Sequence, residues 1–431
     1  MADGNSGRPR LSEAFRALRY PNFRLFFAGQ LISLIGTWMQ TVAQSWLVYR
    51  LTGSSALLGL VSFSGQIPVF LFSPLGGVVA DRYNRHRIII ATQTSSMILA
   101  LILATLTLSG HIRIWHIFVL AALLGIVNAA DIPARQAFFQ EMVGREDLIN
   151  AIALNSSMFN SARIVGPAVA GLLVSWIGEG WCFFANGVSY IAVIAGLLRM
   201  NITPRVIAKS EDSAWQHVLE GFRFVSSAKP IRTLLLLVAL VSFFGLQYSV
   251  LMPIFADRIF HSGAHGLGIL LGINGAGALC GALVMAARRG IKGLSVWIAV
   301  AASIFSVAII AFGFAPTFSS AAALLYIVGF ATMIHFGSTN TLIQMMTPDR
   351  LRGRAISAYS MMYMGTTPIG SMAAGFVAEH LGARVTIWVG GIFCLLGAVA
   401  YASRLSGMRG EAHNMVLSAS AATPENAKIS T

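Results

Sequence analysis

Charge is what this sequence has least of. Asp, Glu, Lys and Arg make up 11% of its 431 residues, against 56% hydrophobic. Soluble domains carry about 25% charged residues, so a water-soluble globular protein is excluded. Cysteine is scarce too. Cys182, Cys280 and Cys394 lie far apart in apolar runs and read as buried thiols, not as a disulfide framework or a metal centre. No His, Cys or carboxylate spacing suits a metal, and neither a nucleophile–base set nor a phosphate loop appears. An enzyme, a metal and a cofactor are therefore not expected. Acidic residues number 16 against 30 Lys and Arg, a net charge of +14. Such a balance suggests nucleic acid until the placement of the cations is considered. A secretory signal is not evident: the first apolar run, from Phe23, is too long for a signal core and lacks a small-residue cleavage pattern.

Long apolar runs are abundant. A bilayer core of about 30 Å needs about 20 helical residues. Twelve runs meet that length: about Asn22 to Val48, Ser55 to Ala80, Ile88 to Leu108, Ile114 to Ala137, Leu148 to Trp176, Trp181 to Leu198, Ile231 to Ala256, Leu267 to Ala287, Leu294 to Phe314, Phe318 to Thr341, Ala355 to Ala378 and Val385 to Ala402. The expected fold is an all-α membrane protein with twelve transmembrane helices. Residues 1–20 form a polar tail ending in a short surface helix. Residues 21–200 and 231–405 are six-helix bundles, 201–230 a central loop, and 406–431 a disordered tail. Ser213-Ala214-Trp215-Gln216 has the form of a capping box, opening an amphipathic helix that lies on the membrane surface or binds a partner.

With both ends cytoplasmic, 25 of the 30 Lys and Arg fall on the cytoplasmic side. Arg50, Arg113, Arg258 and Arg384 fall on the other, and Arg163 lies within a span. This is the positive-inside bias. The cations face anionic lipid, and nucleic acid is not needed to explain them.

The chain repeats itself. A shift of 204 residues lays Gly125–Gly171 on Gly329–Gly375 with ten of 47 positions identical, and places Gly77 on Gly281. Two pseudo-symmetric six-helix bundles follow. Duplicated halves commonly enclose a site near the bilayer midplane. Met285 stands where Asp81 stands in the first copy, so the two hairpins differ electrically.

Between spans 2 and 3 runs Gly77-Val78-Val79-Ala80-Asp81-Arg82-Tyr83-Asn84-Arg85-His86-Arg87. This resembles the Gly-x-x-x-Asp-Arg-x-Gly-Arg-Arg loop of the major facilitator superfamily. Gly77, Asp81, Arg82 and Arg85 match. Asn84 replaces a glycine, and a left-handed Asn is expected to preserve the turn. Span 5 holds Arg163-Ile164-Val165-Gly166-Pro167-Ala168-Val169-Ala170-Gly171, similar to the superfamily's exporter signature at Gly166, Pro167 and Gly171. The opening Leu18–Gln30 resembles the branch of enterobactin and macrolide exporters. The resemblance implies a proton-driven exporter of a siderophore or hydrophobic drug, a multi-pass protein of the bacterial inner membrane, and a monomer. An importer of the same fold and a non-transporting sensor or scaffold are the rivals. The superfamily's proton-coupling Arg in helix 4 is replaced here by Ala121.

The residues point to particular roles. Asp81 ends a helix whose dipole disfavours an anion. By the resemblance it faces the start of helix 11, near Arg352 and Arg354, and latches the cytoplasmic side; a purely topological hairpin is the alternative. Arg163 lies mid-membrane, where a cation needs a partner or water. Ser156, Asn160 and Arg163 share a helical face. Asp131 is the expected partner of Arg163 or, one turn away, of Arg135, either as a static pair or as a titrating group. Arg163 alternatively receives an anionic substrate group. The repeat places His335 at the position of Asp131, a second protonatable candidate or a packed histidine. Ser33, Thr37, Gln40, Thr41 and Gln44 form a polar stripe expected to line a cavity, with Tyr359 and Tyr363 among Met361, Met362 and Met364. Interhelical hydrogen bonding is the competing role for each of these.

Overall fold

The computed structural model describes residues 15–144, 146–202, 228–288 and 293–421. Among them are twelve long helices and no strand. We label them α1 (Pro21–Thr52), α2 (Ser55–Arg82), α3 (Arg85–Leu108), α4 (Ile114–Val143), α5 (Leu148–Ile177), α6 (Glu179–Leu198), α7 (Lys229–Ile259), α8 (Gly263–Ala287), α9 (Leu294–Phe314), α10 (Phe318–Met346), α11 (Asp349–Leu381) and α12 (Ala383–Ala421). Eleven contain a stretch long and apolar enough to cross a membrane; α11 does not reach that standard of apolarity. Helix α1 to α6 form one bundle and α7 to α12 the other. The bundles meet mainly where α2 packs on α11 and α5 on α8.

The helices outrun their predicted ends because caps, not hydropathy, stop them. Pro21 opens α1, and Gly53, at φ 62°, closes it in a left-handed conformation that costs glycine little. Ser54 caps α2 by accepting a bond from the Leu57 amide. Asn84 is not left-handed, contrary to expectation. It sits at φ −65°, ψ 112° and caps α3 by accepting from the Arg87 amide. Arg352 and Arg354 lie within the first turns of α11, not ahead of it. The tail expected to be disordered from Ser406 is helical to Ala421; no proline lies between Ser406 and Ala421, and Met, Arg, Glu and Ala favour continuation. The amphipathic helix expected after Ser213 lies outside the described residues, as do residues 1–14.

The end of the molecule bearing the α2–α3, α4–α5, α8–α9 and α10–α11 turns is here the tail face; the opposite end is the far face. On the tail face a 3₁₀ turn at Arg16–Arg19 precedes α1. The Ala17 amide donates to Asn150 Oδ1 (2.9 Å) and the Tyr20 hydroxyl to Asp147 (3.0 Å). The latter bond pushes the Tyr20 pKa up, since ionisation would place two anions together.

Helix α7 is the least regular. It passes through wide π turns at Val241–Gly245 and Phe255–Ile259. Gln247 exploits the first break. Its Nε2 donates to the Ser242 carbonyl (2.7 Å) and its Oε1 accepts from Ser371 on α11 (2.7 Å). The freed backbone is thus satisfied by a side chain buried at 3% exposure.

Candidate functional site

Glycines show where the bundles touch. A Cβ added to Gly171 on α5 would stand 2.9 Å from the Gly268 Cα on α8. One added to Gly375 on α11 would stand 2.6 Å from the Ser55 carbonyl on α2, and Gly59 is packed as tightly on Ser371. The repeat lays Gly171 on Gly375. The far-face joint is therefore made twice, once in each pseudo-symmetric position, by backbones in direct contact. At the other end of the same α2–α11 pair, Gly77 and Gly353 have no atom of the described residues within 4 Å of an added Cβ. The molecule is shut at the far face and parted toward the tail face.

Polar bonds across the bundles gather at the shut end. Glu379, near the end of α11, accepts at Oε2 from the Ser55 amide (2.7 Å), the Ala56 amide (3.1 Å) and the hydroxyls of Ser55 (2.7 Å) and Ser54 (3.1 Å). An anion thus sits on the N-terminus of α2, where the helix dipole favours it. Tyr49 on α1 donates to Asp257 on α7 (2.8 Å), and Arg258 donates to the Gly53 carbonyl (2.9 Å). Sequence reasoning missed Glu379. The signal was present: like Asp81, it is an anion near a helix C-terminus, where its own dipole opposes it.

At the open end, Asp81 is 70% exposed and pairs with Arg85 one turn on (3.2 Å). Arg85 also bonds Glu141 on α4 (2.9 Å) and the Ala80 carbonyl (3.0 Å), tying α2, α3 and α4 together. Asp81 thus has its hydrogen-bonded partner within its own bundle in this state. Arg82 is exposed. In the exporter signature, Gly166 packs on Trp38 and the Ile35 carbonyl of α1, while the Pro167 carbonyl and Gly171 face Gly268. The signature occupies both the inner wall of the first bundle and the joint.

Asp131 is 2% exposed and fully engaged. Its Oδ2 pairs with Arg135 (3.0 Å), and its Oδ1 accepts from Thr92 (2.7 Å) and Gln93 (3.1 Å) on α3. The structure brings Asp131 to Arg135 and not to Arg163. Arg163 enters no ion pair among the described residues, and its buried Nε has no hydrogen-bond partner. A central cation costs about 2.5–3.5 kcal/mol on insertion scales, so this one calls for an explanation. His335 is 1% exposed, packed edge-on to Phe336 (5.0 Å), with no well-formed hydrogen bond at either ring nitrogen.

The polar stripe of α1 divides. Ser33 and Gln40, expected to line a cavity, are buried within the first bundle, where Gln40 Oε1 accepts from Asn186 on α6 (2.7 Å). Thr37 lies 3.5 Å from the Tyr190 hydroxyl on α6, Gln44 is half-buried and Thr41 is exposed. Helical spacing put these residues on one face, and α6 covers the part of it that holds Gln40 and Thr37. On α11, Tyr359 is half-buried and donates to the Phe336 carbonyl (3.1 Å), whereas Tyr363 is 39% exposed.

Residues 12–429 match a family described as "Transmembrane secretion effector", of the MFS_3 type. The chain belongs to this family of major facilitator transporters. The transporter is 25% identical over 374 residues to the staphyloferrin A transporter of Staphylococcus aureus, covering 86% of this chain and 92% of that one. It is 27% identical over 402 residues to the multidrug efflux pump Tap of Mycolicibacterium fortuitum, with 89% and 95% covered. It is 25% identical over 370 residues to the enterobactin exporter EntS of Shigella boydii, with 85% and 86% covered. Among solved structures, the nucleoside transporter NupG superposes with a TM-score of 0.68 at 17% identity, covering 90% of this chain and 98% of that one. The transporter is thus a multi-pass membrane protein and not an enzyme.

Proposed function

We propose that the protein exports a small organic molecule, of the siderophore or hydrophobic-drug type, across the bacterial inner membrane by alternating access driven by protons. The tail face is then cytoplasmic. The observation that carries this reading is the asymmetry of the α2–α11 seam, welded at Gly59 and Gly375 and vacant at Gly77 and Gly353. A seam of that kind has two stable ends to alternate between. The exporter signature at Gly166, Pro167 and Gly171 lies at the companion α5–α8 joint, and relatives named as exporters support the direction.

The test is transport into everted membrane vesicles with an imposed pH gradient, using ferric-free siderophores and hydrophobic dyes. Gradient-dependent accumulation is expected. Accumulation indifferent to the gradient would replace the proton with another energy source, and none for any compound would remove export.

In the opposite state Asp81 is released from Arg85 and meets the N-terminus of α11 near Arg352 and Arg354, latching the cytoplasmic end. Asp81→Asn should therefore favour the tail-open state. In a background with Cys182, Cys280 and Cys394 changed to serine, a reporter cysteine in the crevice should label faster from the cytoplasmic side by several-fold, consistent with about 1 kcal/mol for an exposed ion contact. Labelling identical to the parent on both sides would leave Asp81 with a role in topology alone.

A further inference from the structure

We propose that Arg163 anchors a subsite for an organic oxyanion, so that the transported molecule carries a carboxylate-like group on an apolar or aromatic body. This rests on the reading of the crevice as the transport route.

Arg163 is the fifteenth residue beyond Leu148 and the fourteenth before Ile177. At about 1.5 Å per residue it is about 20 Å from either end of α5. Its side chain is too short to reach water at either face. The nearest expected counter-ion, Asp131, is already held by Arg135, Thr92 and Gln93. The buried Nε–H is left with nothing to donate to. A guanidinium in that condition is suited to a planar, bidentate oxyanion.

The surroundings fit a ligand of that kind. Tyr248 on α7 and Tyr363 on α11 lie within electrostatic reach of the Arg163 charge, and both belong to the other bundle. Tyr248 donates its proton to Asn274 on α8 (3.2 Å). Tyr363 presents an exposed ring edge-on to Phe336 (5.0 Å). One charge, a phenol with its donor free and an aromatic wall are the elements of a pocket that orients an amphipathic anion. Gly275 contributes by absence: an added Cβ would stand 2.9 Å from the Arg163 carbonyl, so α8 closes on this turn of α5. The face below Arg163 carries Asn160 and Ser156, half-buried and exposed, on the side toward the open end. Ser156 and Asn160 each bond back to their own helix, so the guanidinium stays the strongest unanswered donor of that face. An anion held there would bridge Arg163 of one bundle and the Tyr363 hydroxyl of the other, which is how a ligand gains a say in their relative position. Cationic compounds would meet an uncompensated like charge.

The experiment measures binding of dansylglycine and of its neutral methyl ester to the full chain in phosphatidylcholine nanodiscs, with empty nanodiscs subtracted. The wild type should bind the acid at least about tenfold more tightly than the ester, as a charge-assisted bidentate contact requires. Benzoate in excess should displace the acid. Arg163→Gln should bring the ratio of the two affinities to about one, and Arg163→Lys should restore part of it. Tyr363→Phe should weaken the acid more than the ester, and it decides the matter if Arg163→Gln does not fold. Equal affinities in the wild type, no detectable binding of the acid, or a ratio untouched by both Arg163→Gln and Tyr363→Phe would overturn the subsite. No gradient is present, so failure to bind an anion is distinct from failure to export. Vesicles that export nothing while the nanodiscs prefer the acid would count against the transport reading alone.

Discussion

Glu379→Ala will unfasten the far face. One carboxylate oxygen takes four donors from the first turn of α2, so its loss removes every bond of that set together. A hydrogen bond to a charged group is worth about 1.5–3 kcal/mol when sheltered. Glu379 is exposed, and Ser54 and Ala56 recover water when it goes, so about 1.5–2 kcal/mol for the whole set is a reasonable discount. That changes the ratio of far-shut to far-open molecules by roughly 10–30-fold. The Tyr49–Asp257 bond and the glycine contacts remain, so the joint loosens without dissolving. Spin labels at His111 and Pro316, on turns of opposite bundles, will report it. The variant should gain a longer-distance population absent from the parent. Glu379→Gln, which keeps the shape and loses the charge, should fall between. Distance distributions that coincide in all three proteins would mean that backbone packing alone shuts this end.

The twelve spans were legible because a bilayer imposes one length and one polarity on every crossing. Helix α11 shows how far that signal goes. Its composition falls short of the apolar standard the other eleven meet, yet the run from Ala355 to Ala378 marks the helix, and the repeat lays its start on that of α5. What periodicity does not convey is which neighbour covers a face. Ser33 and Gln40 are polar at helical spacing, and Asn186, more than a hundred residues away, decides that Gln40 faces inward to α6. The same limit applies to Asp131. Sequence placed Arg135 and Arg163 both within its range, and the α3 donors Thr92 and Gln93 fix it beside the first. Local chemistry misled at Asn84, where the tolerance of Asn for left-handed backbone was weighed and its aptitude for capping was not. The π turns of α7 left no trace in composition; Gln247 fills a gap that appears only once α7 has lost its regular ladder. Glu379 is legible on the same ground as Asp81, since each is an anion near the C-terminus of a helix whose dipole opposes it.

Asp131→Ala should strongly destabilise the folded protein. It removes a 2% exposed carboxylate and leaves Arg135 without its anion, with Thr92 and Gln93 lacking an acceptor. Breaking one side of a buried ion pair costs about 3–5 kcal/mol. Arg135 keeps 21% side-chain exposure, so partial hydration brings the expectation to about 2–4 kcal/mol. The variant should unfold at a markedly lower temperature in detergent. The paired change Asp131→Ala with Arg135→Ala should recover part of the loss, since no orphan charge remains. Asp131→Asn separates structure from coupling. It retains the volume and an acceptor for Thr92 while removing the charge. If Asp131 carries the proton, the proposed export loses its dependence on the pH gradient per folded molecule. If the pair only braces α3 against α4, the proposed gradient dependence survives and the yield of folded protein falls. A double variant no more stable than Asp131→Ala alone would show that the missing hydrogen bonds, and not the stranded guanidinium, dominate the cost.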